Sequence, residues 1–287
     1  MYINIENLTF QHHAEKPLFN NLSLNINEGG ICGLLGKNGA GKSTLLKIIA
    51  GLIKGEKGSC HVFNESSFLR DLSVLQQIFF VPENTDLPAL NAQDFKNTFS
   101  TFYPNFNEKL FKNNLHDFSL STHKKLNELS LGQQRKFTIA FALATCCKLI
   151  ILDEPTNGLD IPSKQAFRKI ILSSLQEQQL ILISTHQVYD IQNIIDSLIF
   201  LDAGKIHFHQ KIYAISDVLS MQKTWAEPQD KNVIYYEKRP EGYLTLKNQS
   251  AEHEETEIDL EFLFNAISEK HVEINQIISG EKNEKHT

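Results

Sequence analysis

Gly36-Lys37-Asn38-Gly39-Ala40-Gly41-Lys42-Ser43-Thr44 is the stretch whose reading decides the fold. An apolar run, Ile31-Cys32-Gly33-Leu34-Leu35, leads into it, and Leu45-Leu46-Lys47-Ile48-Ile49-Ala50 leads out. Strand, glycine-rich loop and helix follow one another, the setting a phosphate-binding loop needs. Glycines let successive backbone N–H groups turn inward, and a helix start presents unpaired N–H groups and the positive end of its dipole to an anion. Lys42 is then placed to reach β- and γ-phosphates, and the Ser43 hydroxyl to ligate Mg²⁺.

Working outward, the 287 residues suffice for one large domain with an appendage. A 41% hydrophobic and 22% charged composition predicts an ordinary packed core. The net charge of −6 is uneven: residues 216–287 hold 15 Asp/Glu against 8 Lys/Arg, leaving residues 1–215 near +1. No basic surplus or stripe marks a nucleic-acid binder, so no direct nucleic-acid partner is expected. Cys32, Cys60, Cys146 and Cys147 show no CxxC spacing and read as reduced, mostly buried thiols of a cytoplasmic protein. Met1–Glu6 lacks the basic and apolar regions of a signal peptide, and the most apolar window, 139–152, is broken by Lys148 and too short to span a bilayer. A membrane role therefore requires a partner chain.

Residues 2–10 and 22–26 alternate as half-buried antiparallel strands do. Short strands are expected at 59–63 and 78–81, the latter stopped by Pro82. From Leu87 to Lys125 the texture shifts to Pro, Asn and Phe at helical spacing (Phe95, Phe99, Phe102), which reads as a helical insertion. Ser130 opens a further helix, Lys148–Leu152 reads as a central parallel strand, 163–178 as an amphipathic helix, 180–184 as a buried strand, 188–195 as a short helix and 197–202 as a strand. Strands alternating with helices around a phosphate loop imply an α/β, mainly parallel, doubly wound sheet.

Leu149–Leu152 delivers Asp153 and Glu154 at its C-terminal end, where open α/β sheets place their chemistry. Asp153 is assigned to the Mg²⁺ shell and Glu154 to polarising the attacking water as general base. At Leu129-Ser130-Leu131-Gly132-Gln133, Ser130 and the Gly132 backbone are candidates for binding phosphate at a helix start, against the plainer reading of Ser130 as an N-cap.

This set of motifs resembles the nucleotide-binding subunit of ATP-binding cassette (ABC) transporters. Gly36–Thr44 resembles the Walker A loop, Leu129–Gln133 the ABC signature, Ile150–Glu154 the Walker B strand, Asn157–Asp160 the D-loop, and His186 the switch histidine. The resemblance covers about residues 1–215, and the joint pattern is specific. It implies a P-loop NTPase with an N-terminal antiparallel β subdomain, a helical subdomain at about 87–146 and a small C-terminal appendage at 216–287. It further implies an ATPase, with ATP and Mg²⁺ as cofactors, peripheral at the inner face of the cell membrane on transmembrane permease subunits. Two such domains, as a homodimer or heterodimer, are expected to pack head to tail. Gly36, Asn38, Gly39, Gly41, Lys42, Ser43, Thr44, Asp153, Glu154 and His186 then act on ATP in cis, and Ser130, Gly132 and Gln133 in trans. Ser43, Asp153 and Glu83 form the implied metal set, and Glu154 and His186 the catalytic pair.

Three departures stand out. The family's glutamine after the 78–81 strand is replaced by Glu83, with Gln76 and Gln77 as alternatives if the alignment slips. Leu131 stands where the signature usually has glycine. No tyrosine is available to stack on adenine near Phe10–His13, leaving His12, which reads equally as a solvated loop histidine. The pairs His12/His13 and His207/His209 lack the neighbours a metal site needs. The C-terminal region predicts a few strands and an acid-capped amphipathic helix from Ile258, resembling antibiotic-exporter ATPases; it reads as a stabilising appendage or a dimerising or regulatory unit, with 280–287 frayed. The exporter branch is expected. The alternatives are a soluble ABC ATPase acting on DNA or ribosomes, whose usual coiled-coil insertion or second cassette the chain lacks, and a non-hydrolysing ATP-gated regulator.

Overall fold

The computed structural model describes residues 1–12, 16–121, 124–230, 232–248 and 258–280. His13 and the expected frayed end from residue 281 onward lie outside them. The chain runs β1 (Ile3–Phe10), β2 (Phe19–Ile26), β3 (Gly30–Leu35), α1 (Lys42–Ile49), β4 (Lys57–Val62), β5 (Glu65–Ser66), α2 (Leu72–Leu75) and β6 (Ile78–Val81). It continues with α3 (Ala92–Phe99), α4 (Glu108–Asp117), α5 (Leu131–Ala144), β7 (Leu149–Asp153), α6 (Ile161–Ser174), β8 (Leu180–Thr185), β9 (Ser197–Asp202) and β10 (Lys205–Lys211). The last part holds α7 (Ile212–Ser216), β11 (Leu219–Thr224), β12 (Val233–Arg239), β13 (Gly242–Asn248) and α8 (Leu260–Ser279).

The central sheet has the order β10-β9-β3-β8-β7-β6, parallel except for the β10 edge. Every residue of β7 and β8 is buried, because helices or a second sheet cover both faces and leave no place for a polar side chain. Ile150 and Leu152 point into one core and Leu149 and Ile151 into the other. The second core also takes α1 and the antiparallel sheet β2-β1-β4-β5. Its alternation is legible in β2, where Phe19, Leu22, Leu24 and Ile26 are buried between exposed polar residues.

Parallel register does the positioning. Leu35 pairs with Thr185, Asp153 with Ser184, and Val81 with Leu152. The segments leaving β3, β6, β7 and β8 therefore emerge along one edge of the sheet, where ligands of open α/β folds bind.

The insertion expected from the Phe-rich stretch folds as α3, a 3₁₀ turn at Ser100–Phe102, and α4 packed on α5. Phe95, Phe111, Phe106, Tyr103 and Phe79 surround Phe141 with ring centroids 5.1–6.4 Å away. Two helix expectations need correction. At 188–195 only Val188–Asp190 is helical, as a 3₁₀ turn, and i→i+3 bonds continue to Ile194. Ile191 and Ile195 fill the space left by Gly33 of β3, so packing fixes that segment as a chain of turns. The amphipathic helix begins at Ile161 rather than Ser163, capped by Asp160 with Pro162 in the first turn, and ends at Ser174.

The C-terminal residues form the antiparallel sheet β11-β13-β12 and α8. Phe262, Leu263, Ala266 and Ile267 of α8 are fully buried and belong to the same apolar cluster as Phe200, Phe208 and Phe141. The helix expected from Ile258 runs from Leu260 to Ser279, capped by Asp259 and Gly280, with a non-helical break at Lys270. All four cysteines are free; burial pushes the Cys32 and Cys147 thiols up to about 12, which makes them inert.

Candidate nucleotide site

The loop between β3 and α1 is shaped by glycines that accept no substitute. A Cβ on Gly36 would come 2.2 Å from the Leu201 carbonyl oxygen. One on Gly41, whose φ is +103°, would come 2.7 Å from the Phe19 ring. Gly41 is the N-cap of α1 and brings no capping side chain, so the first-turn N–H groups remain for an anion. Lys42 folds back over the loop and donates to the Gly36 carbonyl at 2.8 Å.

A cleft of about 600 Å³ lies along this edge, within the range that holds nucleotide-sized ligands. It is lined by Lys37, Asn38, Gly39, Gly41, Lys42, Ser43 and Thr44, by Glu83, Glu154, Asn157 and His186, and by His12 and Leu18. Glu154 is the hub: its Oε1 lies 3.4 Å from Lys42 Nζ and 3.0 Å from His186 Nδ1, and its Oε2 accepts from the His186 backbone N–H at 3.4 Å. Glu154 takes a left-handed φ of +48°, held by bonds from its N–H to the Ser184 carbonyl and hydroxyl oxygens, both at 3.1 Å. A non-glycine residue keeps such a backbone only where its surroundings over-determine it.

Asp153 sits behind the cleft wall, 2% exposed, and accepts from the Ser184 hydroxyl at 2.6 Å. Burial raises its pKa above the ordinary carboxylate value; the Ser184 and Ser43 hydroxyls pull it down, and the nearby charges of Glu154 and Glu83 push it up again. Its link to a ligand therefore runs through Ser43. Glu83, rather than Gln76 or Gln77, lines the cleft; its Oε1 accepts from Asn157 Nδ2 at 3.0 Å. Ser43 and Glu83 offer the cleft hard oxygen donors of the kind Mg²⁺ prefers, with Asp153 behind Ser43, so the donor set fits that ion. His12 also reaches the cleft, its ring edge-on to Phe10 at 4.9 Å.

Ser130, Gly132 and Gln133 do not line this cleft. Ser130 caps α5 in a capping box: its hydroxyl accepts from Gln133 N–H at 3.3 Å, and Gln133 Oε1 accepts from Ser130 N–H at 3.1 Å. Gly132 lies against the loop after β7, where a Cβ would meet the Gly158 carbonyl oxygen at 3.6 Å. Leu131 is 81% exposed beside them. Two polar partners escaped sequence reasoning: Asn157, visible only as part of the D-loop, and Arg135, on the helix that Ser130 opens. Arg135 donates to the Glu83 carbonyl oxygen from a partly desolvated position.

Known proteins resemble this chain over most of its length. A family model described as ABC transporter matches residues 19–157. The lantibiotic transport ATP-binding protein SrtF of Streptococcus pyogenes is 33% identical over 239 residues, covering 83% of this chain and 99% of SrtF. The chain belongs to the ABC transporter family. It is an ATP-binding, ATP-hydrolysing subunit of that family, and its fold is that of a P-loop NTPase. The molybdate import ATP-binding protein MolC of Haemophilus influenzae is 30% identical over 213 residues, 72% of this chain and 81% of MolC. Among solved structures, a dimeric ATP-binding cassette in a post-hydrolysis state with ADP and Pi superposes with a TM-score of 0.62 at 26% identity, covering 73% of this chain and 98% of the other. No helix among the described residues is long and apolar enough to cross a membrane, and no cluster of three or more His, Cys, Asp or Glu there suits a metal ion.

Proposed function

We propose that the chain powers an ABC exporter as a head-to-tail dimer bound to transmembrane permease subunits at the inner face of the cell membrane. One observation carries the mechanism. Lys42, Glu154 and His186 converge in a single cleft, while Ser130, Gly132 and Gln133 stand outside it on an intact helix cap. A cleft with only half of the family's ATP contacts calls for a second cassette to supply the rest. Lys42 and the loop N–H groups bind the phosphates; Glu154 takes a proton from the attacking water; His186 orients Glu154. His12 offers a ring for adenine. Mg²⁺, when bound, withdraws charge from the phosphates; Ser43 and Glu83 would hold it, with Asp153 acting through Ser43.

In this reading residues 1–215 are the cassette, with its helical subdomain at about 87–146, and 216–287 an accessory region. SrtF is named for lantibiotic transport and MolC for molybdate import, so the cassette alone does not set direction. Export is proposed from the C-terminal region, which resembles that of antibiotic-exporter ATPases and into which the match to the lantibiotic transport protein SrtF extends beyond the cassette.

Glu154→Gln tests the chemistry. Turnover should fall by roughly 10²–10⁴-fold, the usual effect of losing a general base, with ATP binding retained. Wild-type-like turnover would reject the assignment of Glu154. The same variant, tagged and ATP-trapped, can be pulled from detergent-solubilised membranes of its native cells. A stoichiometric multi-spanning partner supports the transporter reading, whereas ribosomal or DNA-associated chains alone would favour a soluble ATPase.

A further inference from the structure

Two carboxylates, Glu83 and Glu154, line the cleft with Asp153 buried behind its wall, and Glu83 sits on a loop rather than a strand. A loop-borne carboxylate aims at a metal only if something fixes both its backbone and its side chain. Here both are held, and from two different elements. On the backbone side, the Arg135 guanidinium reaches from the first turns of α5 and donates to the Glu83 carbonyl oxygen. On the side-chain side, Asn157 Nδ2 donates to Oε1 at 3.0 Å. The second guanidinium arm lies beside the D-loop, 3.8 Å from where a Cβ on Gly158 would be. The guanidinium is half-buried and its charge acts on both Glu83 and Glu154.

We infer that Arg135 and Asn157 form a two-point clamp that presents Glu83 to the divalent cation of bound nucleotide. Arg135 also offsets the repulsion between Glu83 and Glu154, so a glutamate is tolerated where the family usually has glutamine. Arg135 is a positioning residue: it touches Glu83 and not the nucleotide cleft. Its helix carries Ser130, Gly132 and Gln133, and Asn157 belongs to the adjacent loop, so the clamp ties the metal contact of one cleft to the segments proposed to meet the partner cassette. The inference rests on the reading of Glu83 as a metal contact.

Mn²⁺ binding to full-length protein in the Glu154→Gln background tests it, read by electron paramagnetic resonance at saturating ATP. ATP affinity is measured separately in EDTA. Removing a residue that orients a metal ligand typically weakens metal binding about 10–100-fold. Arg135→Ala should therefore weaken Mn²⁺ at least ~10-fold while ATP affinity in EDTA changes less than ~2-fold, and Asn157→Ala should act in the same direction. Arg135→Lys, which keeps the charge and one donor, should recover part of the loss. Unchanged Mn²⁺ affinity in Arg135→Ala, with Glu83→Ala weakened, overturns the clamp and leaves the Glu83 reading standing. Unchanged affinity in Glu83→Ala removes Glu83 as a metal contact and the clamp with it. If Arg135→Ala melts more than ~10 °C lower, Arg135→Lys decides: weaker Mn²⁺ with melting preserved supports the clamp, and wild-type affinity rejects it.

Discussion

Asp153 shows how a single residue is held against its own stability. It is an acid at the end of a strand buried on both faces, and burial raises its pKa above the unfolded value near 3.9. A raised carboxylate pKa contributes stability only while the group is protonated, and that contribution is lost as pH rises through the folded pKa. At neutral pH the charged form therefore works against the fold. Asp153→Asn removes the charge and keeps an oxygen to accept from Ser184. The expected outcome is a melting temperature raised by ~2–4 °C, equivalent to about 1 kcal/mol in a chain of this size, with metal-dependent ATP turnover lost. A lower melting temperature in a calorimetric scan would show that the hydroxyls around Asp153 outweigh its desolvation.

At the scale of elements, α8 is docked on the β10 edge through groups that respond to pH. His207 of β10 and His271 of α8 meet edge-on with ring centroids 4.4 Å apart, one residue beyond the break at Lys270. Asn275 of α8 donates to the His207 carbonyl oxygen at 2.7 Å, and Phe264 packs on Phe200 at 5.1 Å. Burial lowers the pKa of His207, the nearby His271 and Lys205 lower it further, and Asp202 opposes them; burial alone lowers His209. A histidine with a depressed folded pKa stabilises the fold above its unfolded value of about 6.5, and that stability is lost as pH falls through the folded pKa. Amide exchange in α8 should therefore quicken from pH 7.5 to 5.5 relative to α5, and His207→Gln should flatten the difference. Equal pH response in α5 and α8 would reject α8 as the weak point.

At the scale of the molecule, the C-terminal region shares its core with the sheet that carries the site. Phe262 is completely buried in the cluster that includes Phe200, Phe208 and Ile215. A chain cut after residue 215 would uncover that surface, so it should aggregate or melt well below the full chain. Phe262→Ala should cost ~3–5 kcal/mol, as for other buried phenylalanines, read by denaturant unfolding of the full chain. A soluble truncated chain with wild-type melting would make 216–287 a separable appendage.

The local instructions of this chain were legible without coordinates. Gly36–Thr44 specifies its turn because backbone sterics act between neighbours in sequence, and the runs at 149–152 and 180–184 specify buried strands because both faces must be apolar. Ser130 marks a helix start through its capping box with Gln133, also a contact between near neighbours. The pairing of distant groups was beyond such reading. That Glu154 meets Lys42 and His186 follows from parallel register across β3, β7 and β8. The hold of Arg135 and Asn157 on Glu83 spans 52 and 74 residues of chain. Packing likewise settled 188–195 as turns against Gly33 and laid α8 along the β10 edge. The sequence alone determined the phosphate loop, the acidic strand end and the family they resemble, because each is written in neighbouring residues. Only the tertiary structure decided which carboxylate faces the cleft and what holds it there, because those contacts exist only after distant segments are packed together.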